Sequence, residues 1–432
     1  MSQNDSISMM NQKTLILLCD QYPLSAGEFF IDDEMRVIAP KFDKVLIYTA
    51  SADSGENLNR FVPTNAEVVS FSRSELERNK LKSVFRIFSP MFMAELFFAL
   101  RSLPVQYWLS AVKIMYVEIH RATNLKKDLI GLCKAKKLNP SDCVFYSYWH
   151  DYKALALAML RKYDQSIKCV ARAHGWDNFA DRHTPPYLPF KSFIINNLSQ
   201  TYSISDAGKI YFEKYLNRKL DDRVTVSRLG KFNDRKPNMD KQPDSALICS
   251  CSNLIPVKRV DKIIEVISLL QTKNVRWVHF GDGPLRAELE ALAADKLQGV
   301  AYEFRGIVPN AAILDFYARD YVDLFVNLSS SEGIPVSIME ALSAGIPVVA
   351  TNVGGTAEAV NEKNGFLIPA DFDCDSVVQI IDNYLNLPTS VQKVLRRNAY
   401  DFWKENYEAG KNYGEFINAV AYKNSQSSSI EE

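Results

Sequence analysis

The 432-residue chain carries no excess of charge of either sign, since Lys+Arg and Asp+Glu both total 51. Without a net field, nothing favours nucleic acid as a partner. There is no run of 18 apolar residues, so no segment reads as a membrane-spanning helix. The nearest approach, Pro90–Val117, is interrupted by Glu95, Arg101 and Lys113. There is no zinc-like cysteine spacing either. Seven scattered Cys, an odd number, read as reduced thiols of a cytosolic protein. Cys249 and Cys251 form a C-x-C, more simply two small residues on one strand face than a metal site. The polar stretch 1–13 lacks a signal-peptide pattern. A composition of 47% hydrophobic and 24% charged residues excludes wholesale disorder, and the length suffices for two cores.

Short apolar runs alternate with helix-period segments, as in strand–helix–strand units with parallel sheets. In the first half, 14–19, 44–49, 143–147, 167–173, 193–195 and 223–227 read as strands, and 29–38, 152–162 and 207–215 as helices. Residues 230–244, polar and containing Pro237 and Pro243, have a linker composition. A second series follows, with strands over 246–250, 275–281, 300–304 and 324–327 and helices over 260–270, 285–294 and 311–319. The expected fold is α/β, with two doubly wound domains whose strand-end loops face a cleft. The expected boundaries are 1–230, 231–400 and 401–432, the last a helical, aromatic-rich segment with a frayed Ser-rich tail. Pro90–Val117 reads as buried helices of the first domain. Its Phe, Met and Leu content and the basic stretch Arg73–Arg86 leave an in-plane membrane helix as the alternative.

The richest segment runs from Ser329-Ser330-Ser331-Glu332-Gly333-Ile334-Pro335 through Glu340 to Gly345-Ile346-Pro347-Val348-Val349-Ala350-Thr351. Two carboxylates, with seven residues between them, flank and enter a helix of about three turns. Pro335 suits its first position, Gly345 the residue past its end, and Pro347 forbids continuation. The helix N-terminus, with the amides of Ile334 and its neighbours, offers an anion site. Glu332 would repel phosphate there, so it suits neutral hydroxyls beside the phosphate.

This segment resembles the donor-site signature of the retaining "glycosyl transferases group 1" family, in the branch that assembles surface polysaccharides. The resemblance implies the GT-B fold, two Rossmann-like domains with a C-terminal helix crossing back to the first. It assigns Glu332, Gly333, Ile334, Pro335 and Val336 to the donor sugar and phosphates and Glu340 to the ribose. Lys258, in Ser252-Asn253-Leu254-Ile255-Pro256-Val257-Lys258-Arg259, matches the family lysine that faces the diphosphate, whereas Asn253 stands where the family has Arg. Arg259 is a second candidate charge. Gly281-Asp282-Gly283-Pro284 resembles a structural turn, and Phe304-Arg305-Gly306-Ile307 the loop contacting the base through Arg305 and Ile307. The glycines of Asn352-Val353-Gly354-Gly355-Thr356, followed by Glu358, are expected to let backbone approach phosphate.

In the first domain, His174 of Arg172-Ala173-His174-Gly175-Trp176-Asp177 would hydrogen-bond the donor sugar near the reacting carbon. With Lys258 and Glu332 it makes the expected catalytic set. Trp149, Trp176, Asp177 and Glu28 are the expected acceptor residues, with Arg182 beside them. Gly27, in Gln21–Phe30, is expected to let the chain approach the donor phosphates or the acceptor.

No DxD-type motif stands in a convincing position, so the implied chemistry needs no metal and no cofactor. The co-substrate would be a nucleotide-diphosphate sugar, UDP-linked before GDP-mannose. The acceptor would be a saccharide, lipid-linked, met in the cytoplasm at the membrane surface, as in lipopolysaccharide or exopolysaccharide assembly. Two rivals stand. A Rossmann dehydrogenase would need a complete G-x-G-x-x-G and its acidic partner, which are absent. An inactive nucleotide-sugar-binding partner protein is favoured by Asn253.

Overall fold

The apolar runs become parallel strands buried on both faces, as crossover helices require. The computed structural model describes residues 14–25, 28–50, 60–72, 76, 85–241 and 245–422. They divide into two units, the first Met1–Ser227 with Tyr413–Glu432 and the second Arg228–Asn412. The expected boundaries thus shift to 227/228 and 412/413.

Among the described residues, the first unit holds seven strands: β1 (Thr14–Leu18), β2 (Lys44–Ala50), β3 (Ala66–Phe71), β4 (Cys143–Ser147), β5 (Lys168–Ala173), β6 (Gln200–Ser203) and β7 (Val224–Val226). They lie in the order β3-β2-β1-β4-β5-β6-β7. The order reverses between β1 and β4, and ligands of such sheets bind beyond the carboxyl ends there. Residues 193–195, expected as a strand, lie instead in a helix, Lys191–Asn197. A three-residue apolar run cannot choose its own period. The strand of that region is β6, whose sequence Gln-Thr-Tyr-Ser is polar yet wholly buried.

Two helices cover one face. In α1 (Pro90–Ser102), the Ser89 side chain accepts a hydrogen bond from the Phe92 amide, and Pro90 fills the first position. In α2 (Trp108–Ala135), Ala111, Met115, Ile119, Ala122, Leu125 and Leu129 are buried at helical spacing. The expectation of buried helices therefore holds for their inner faces and fails for their outer ones. Phe97 and Leu109 are 61% and 87% exposed.

The second unit has the order β10-β9-β8-β11-β12-β13. Its strands are β8 (Ala246–Cys251), β9 (Val275–Phe280), β10 (Ala301–Phe304), β11 (Leu324–Asn327), β12 (Val348–Thr351) and β13 (Gly365–Ile368). The order reverses between β8 and β11. Helix α3 (Val260–Leu269) follows β8, and α4 (Val336–Ser343) follows β11. The polar segment expected as a linker is packed onto this unit through 241. Lys241 pairs with Asp323 at 3.3 Å, and Asn238 accepts from buried Arg396 at 2.8 Å.

The last helix, α5 (Ala409–Tyr422), begins in the second unit, but from Tyr413 onward it belongs to the first. Phe416 is buried with its ring 5.2 Å from Tyr146 and 4.9 Å from Tyr202, and the Arg172 guanidinium lies 4.2 Å over it. The expected Ser-rich tail beyond Tyr422 lies outside the described residues, as does Gly27.

Candidate active site

In the second unit, three loops at the carboxyl end of the sheet are tied into one surface. The loop after β11 is held by Arg259, which donates to the carbonyls of Leu328 (2.6 Å), Ser329 (3.2 Å) and Ala370 (2.9 Å). Arg259 is thereby committed to backbone and is not the second phosphate charge. Ser330 N–H donates to the Val257 carbonyl at 2.8 Å, joining this loop to the one after β8.

The third loop, 352–355, is where the glycines matter. Gly354 has φ +55°, and a Cβ there would stand 1.8 Å from the carbonyl oxygen of Glu332. Gly355 N–H donates to the Gly333 carbonyl at 2.8 Å. The glycines expected to approach phosphate instead let one loop lie against the backbone that carries Glu332. Gly281 and Gly283 act alike, since Cβ atoms there would meet the carbonyls of Ser252 at 2.0 Å and Leu254 at 2.5 Å.

On this frame Lys258 Nζ meets Glu332 Oε1 at 2.6 Å, with Glu332 7% exposed. Asn327 Nδ2 donates to the same oxygen at 3.3 Å. Helix α4 begins just after, with Pro335 as its extended N-cap and no side-chain cap. It has eight residues, not three full turns, because Ala344 and Gly345 (φ +67°) close it. The first amides, of Val336 and Ser337, have no intrahelical acceptor by geometry. A cation, a helix dipole and a carboxylate thus share one spot, which suits a phosphate joined to a hydroxyl-rich group.

Glu340, buried on α4, accepts from Asn310 Nδ2 at 2.6 Å and lies 3.5 Å from Lys231 Nζ. Lys231 and Asn310 were invisible in the sequence reading, the former because it sits in the supposed linker. Asn253 is exposed beside the Lys258 loop, and Ile307 is 79% exposed after Gly306. Arg305 is held by Glu303 at 3.0 Å and lies 4.6 Å over the Phe316 ring.

Comparisons with known proteins bear on the family and the fold. Residues 232–402 match the family described as "Glycosyl transferases group 1". This part of the chain is similar to that family. Curated relatives include glycosyltransferases. One is the phosphatidylinositol N-acetylglucosaminyltransferase gpi3 subunit of Schizosaccharomyces pombe, 30% identical over 53% of this chain and 51% of that protein. Another is the amylovoran biosynthesis glycosyltransferase AmsK of Erwinia amylovora, 28% identical over 34% of this chain and 39% of that one. The matched region spans about half the length of these relatives or less. Among solved structures, Anabaena HepE in complex with UDP covers 95% of this chain and 99% of its own, with a TM-score of 0.66 at 16% identity. The fold is GT-B.

In the first unit, a cavity of about 690 Å³ opens at the strand ends. It brings together Trp149, Trp176 and Asp177, expected as acceptor residues, and adds Glu118 and Arg121 of α2, His150, Tyr152 and Lys191. Trp176 is 58% exposed. Asp177 accepts from the His174 amide at 2.5 Å and from the His150 amide, so it pins the ends of β4 and β5 together. Burial raises its carboxyl to about 6.

Glu28 is otherwise engaged. Its carboxylate accepts from the amides of Asp20 (3.0 Å), Gln21 (2.7 Å) and Tyr22 (2.8 Å) and from the Trp149 indole. It shapes its own loop and orients Trp149, and its lone pairs are used there. His174 is buried among the rings of Tyr148 (4.5 Å), Trp149 (4.9 Å) and Phe30 (5.8 Å). Among the described residues, its Nε2 has no hydrogen-bond partner. Burial and the nearby Arg172 push its pKa well below the ordinary value, so the ring is neutral at pH 7 and suits a hydrogen bond to a neutral group.

Glu118 gives a pH test. Burial, then the nearby Asp151, raises its carboxyl to about 7 against the opposing Arg121, Lys153 and Lys191. A raised carboxyl costs stability as pH rises through the window between its unfolded value and about 7. Glu118→Gln should therefore stabilise the protein at pH 8, by about 1–2 kcal/mol, and leave it unchanged near pH 4.5. Thermal melts at both pH values check this, and an equal shift at both would discount the titration.

Proposed function

We propose that the protein is a retaining glycosyltransferase. It moves a sugar from a nucleotide-diphosphate sugar, UDP-linked first and GDP-mannose next, to a saccharide acceptor in surface-polysaccharide assembly. The acceptor is lipid-linked, reached at the cytoplasmic face of the membrane. The observation that carries this reading is the Lys258–Glu332 pair at the start of α4, within the family's region. Lys258 and the first amides of α4 face the diphosphate, and their charge is most effective when negative charge grows on the departing group. Glu332 accepts from donor-sugar hydroxyls. Glu340, fixed by Lys231 and Asn310, accepts from the ribose. His174 hydrogen-bonds the sugar near the anomeric carbon, and the aromatic 690 Å³ cavity receives the acceptor. The leaving phosphate takes the acceptor proton as the new bond forms on the face it leaves. UDP bound to a GT-B neighbour, and a relative named for amylovoran biosynthesis, support the donor and pathway class. Charge on the diphosphate is met by the chain itself, so turnover should persist in a chelator.

The test is a thermal shift with UDP, GDP, ADP and CMP, followed by turnover with the matching sugar nucleotide in EDTA. A nucleotide at 100 times its Kd should add about 2.7 kcal/mol of stability, and Lys258→Ala should remove most of that gain. Stabilisation by none of the four would reject the donor site. Binding without turnover would favour the inactive partner protein over the enzyme.

A further inference from the structure

Apart from buried Glu95 and exposed Arg101, helix α1 carries apolar side chains on every side, yet the first unit covers only one side of it. Phe92, Glu95 and Ala99 point inward, whereas Met93, Phe97 and Arg101, at i, i+4 and i+8, point to solvent. A helix apolar on every side normally has both sides covered. Exposed apolar residues also flank α1 in the chain, with Phe85 and Phe88 before it and Val105 and Leu109 after it. Phe85 is 82% exposed and Phe88 73%. Three outward phenylalanines in thirteen residues, each about 150–250 Å² when fully exposed, exceed the scattered apolar exposure of an ordinary surface.

The charges here are sorted by sign. Between 85 and 117 the charged residues are Arg86, Glu95, Arg101 and Lys113. The one acid, Glu95, is buried and accepts from the Tyr187 hydroxyl at 2.6 Å, while Arg101 and Lys113 are exposed. Among the described residues of this stretch, the outward positions therefore carry aromatic and aliphatic groups with cations and no acid. A protein partner of mixed charge does not call for such sorting, but an anionic lipid surface does. At 13 residues α1 is about 20 Å long, too short to cross a bilayer core. Among the described residues no helix is long and apolar enough to cross a membrane.

We infer that this face lies in the plane of an anionic membrane surface, with Phe85, Phe88, Phe97 and Leu109 inserted among headgroups and Arg101 and Lys113 on lipid phosphates. Resting on the lipid-linked acceptor proposed above, it names the surface that would hold the enzyme beside that acceptor. Helix α2 runs from Leu109 at this face to Glu118 and Arg121 in the cavity wall, so one rigid element joins surface and cavity.

The experiment is vesicle co-sedimentation of the full chain, with phosphatidylcholine alone or with about one-third phosphatidylglycerol. Wild type should sediment with the anionic vesicles, and added salt should release it. Phe88→Ser with Phe97→Ser should lower that partition about ten-fold or more, and Arg101→Glu with Lys113→Glu should abolish the preference for anionic lipid. All four residues are outward, so melts and UDP binding should match wild type. Wild-type partition no greater than that of the phenylalanine variant would overturn the inference. So would a dimer that these substitutions dissociate without any vesicle binding, since a second copy would then cover the face. If UDP binds but vesicles do not, only this inference fails; if vesicles bind but no nucleotide does, only the donor reading fails.

Discussion

Glu332→Gln should lower kcat about 10²–10³-fold while leaving the affinity for the bare nucleotide diphosphate within about threefold. The amide keeps the volume and one acceptor oxygen but removes the charge that strengthens hydrogen bonds from sugar hydroxyls. On the proposed reading the loss falls on the sugar, because Lys258 and the amides of α4 would meet the diphosphate. Lys258, 2.6 Å from the carboxylate in the native pair, would lose a competitor for phosphate, so UDP binding should hold or tighten. Initial rates with the sugar nucleotide and titration with UDP separate the two terms. Weakening of UDP binding as large as the loss of rate would mean that Glu332 organises the phosphate site, not the sugar.

Gly354→Ala should cost about 3 kcal/mol or more, lowering Tm by roughly 6–12 °C. Two penalties combine. The backbone sits at φ +55°, which a side chain disfavours, and the new methyl would stand 1.8 Å from the Glu332 carbonyl oxygen. The oxygen belongs to backbone held by Gly355 N–H and the Arg259 staples, so it has little room to retreat. Whatever fold survives should have Glu332 displaced and turnover reduced with stability. Gly131→Ala is the control, because nothing lies within 4 Å of a Cβ at that helical position. It should be neutral or slightly stabilising. Equal melts for the two variants would refute the packing account.

The candidate donor segment was legible as a structural unit because its residues are local in sequence. Glu332, Pro335, Glu340 and Gly345 are bound by the geometry of one turn–helix–turn, so their order announces it. Lys231 was not legible: it meets Glu340 from a polar stretch more than a hundred residues away, and composition alone reads such a stretch as linker. Asn310 was hidden likewise, as one polar residue among many at a helix start. Gly354 was noticed for the wrong reason, since sequence shows that backbone must come close but not to what. The strand error at 193–195 arose because Ile194 and Ile195 are both buried on a short helix, leaving no period to read. β6 escaped because its polar side chains are buried by neighbours that only the tertiary structure supplies. In the first unit, Trp149, Trp176 and Asp177 were found from their strand-end positions. Glu118 and Arg121 reach the same cavity from the middle of a long helix, where nothing local distinguishes them.

Helix α5 carries a consequence for how the protein is made. The first unit is discontinuous, leaving at Ser227 and resuming at Tyr413. Phe416 supplies the ring that Tyr146, Tyr202 and Arg172 pack against. During synthesis the first unit must therefore wait, with that aromatic seat unfilled, until the whole of the second has emerged from the ribosome. A fragment ending at Ser227 would be left in the same unfinished state. The domain begun first is completed last, and it cannot be cut from the chain by a single cleavage.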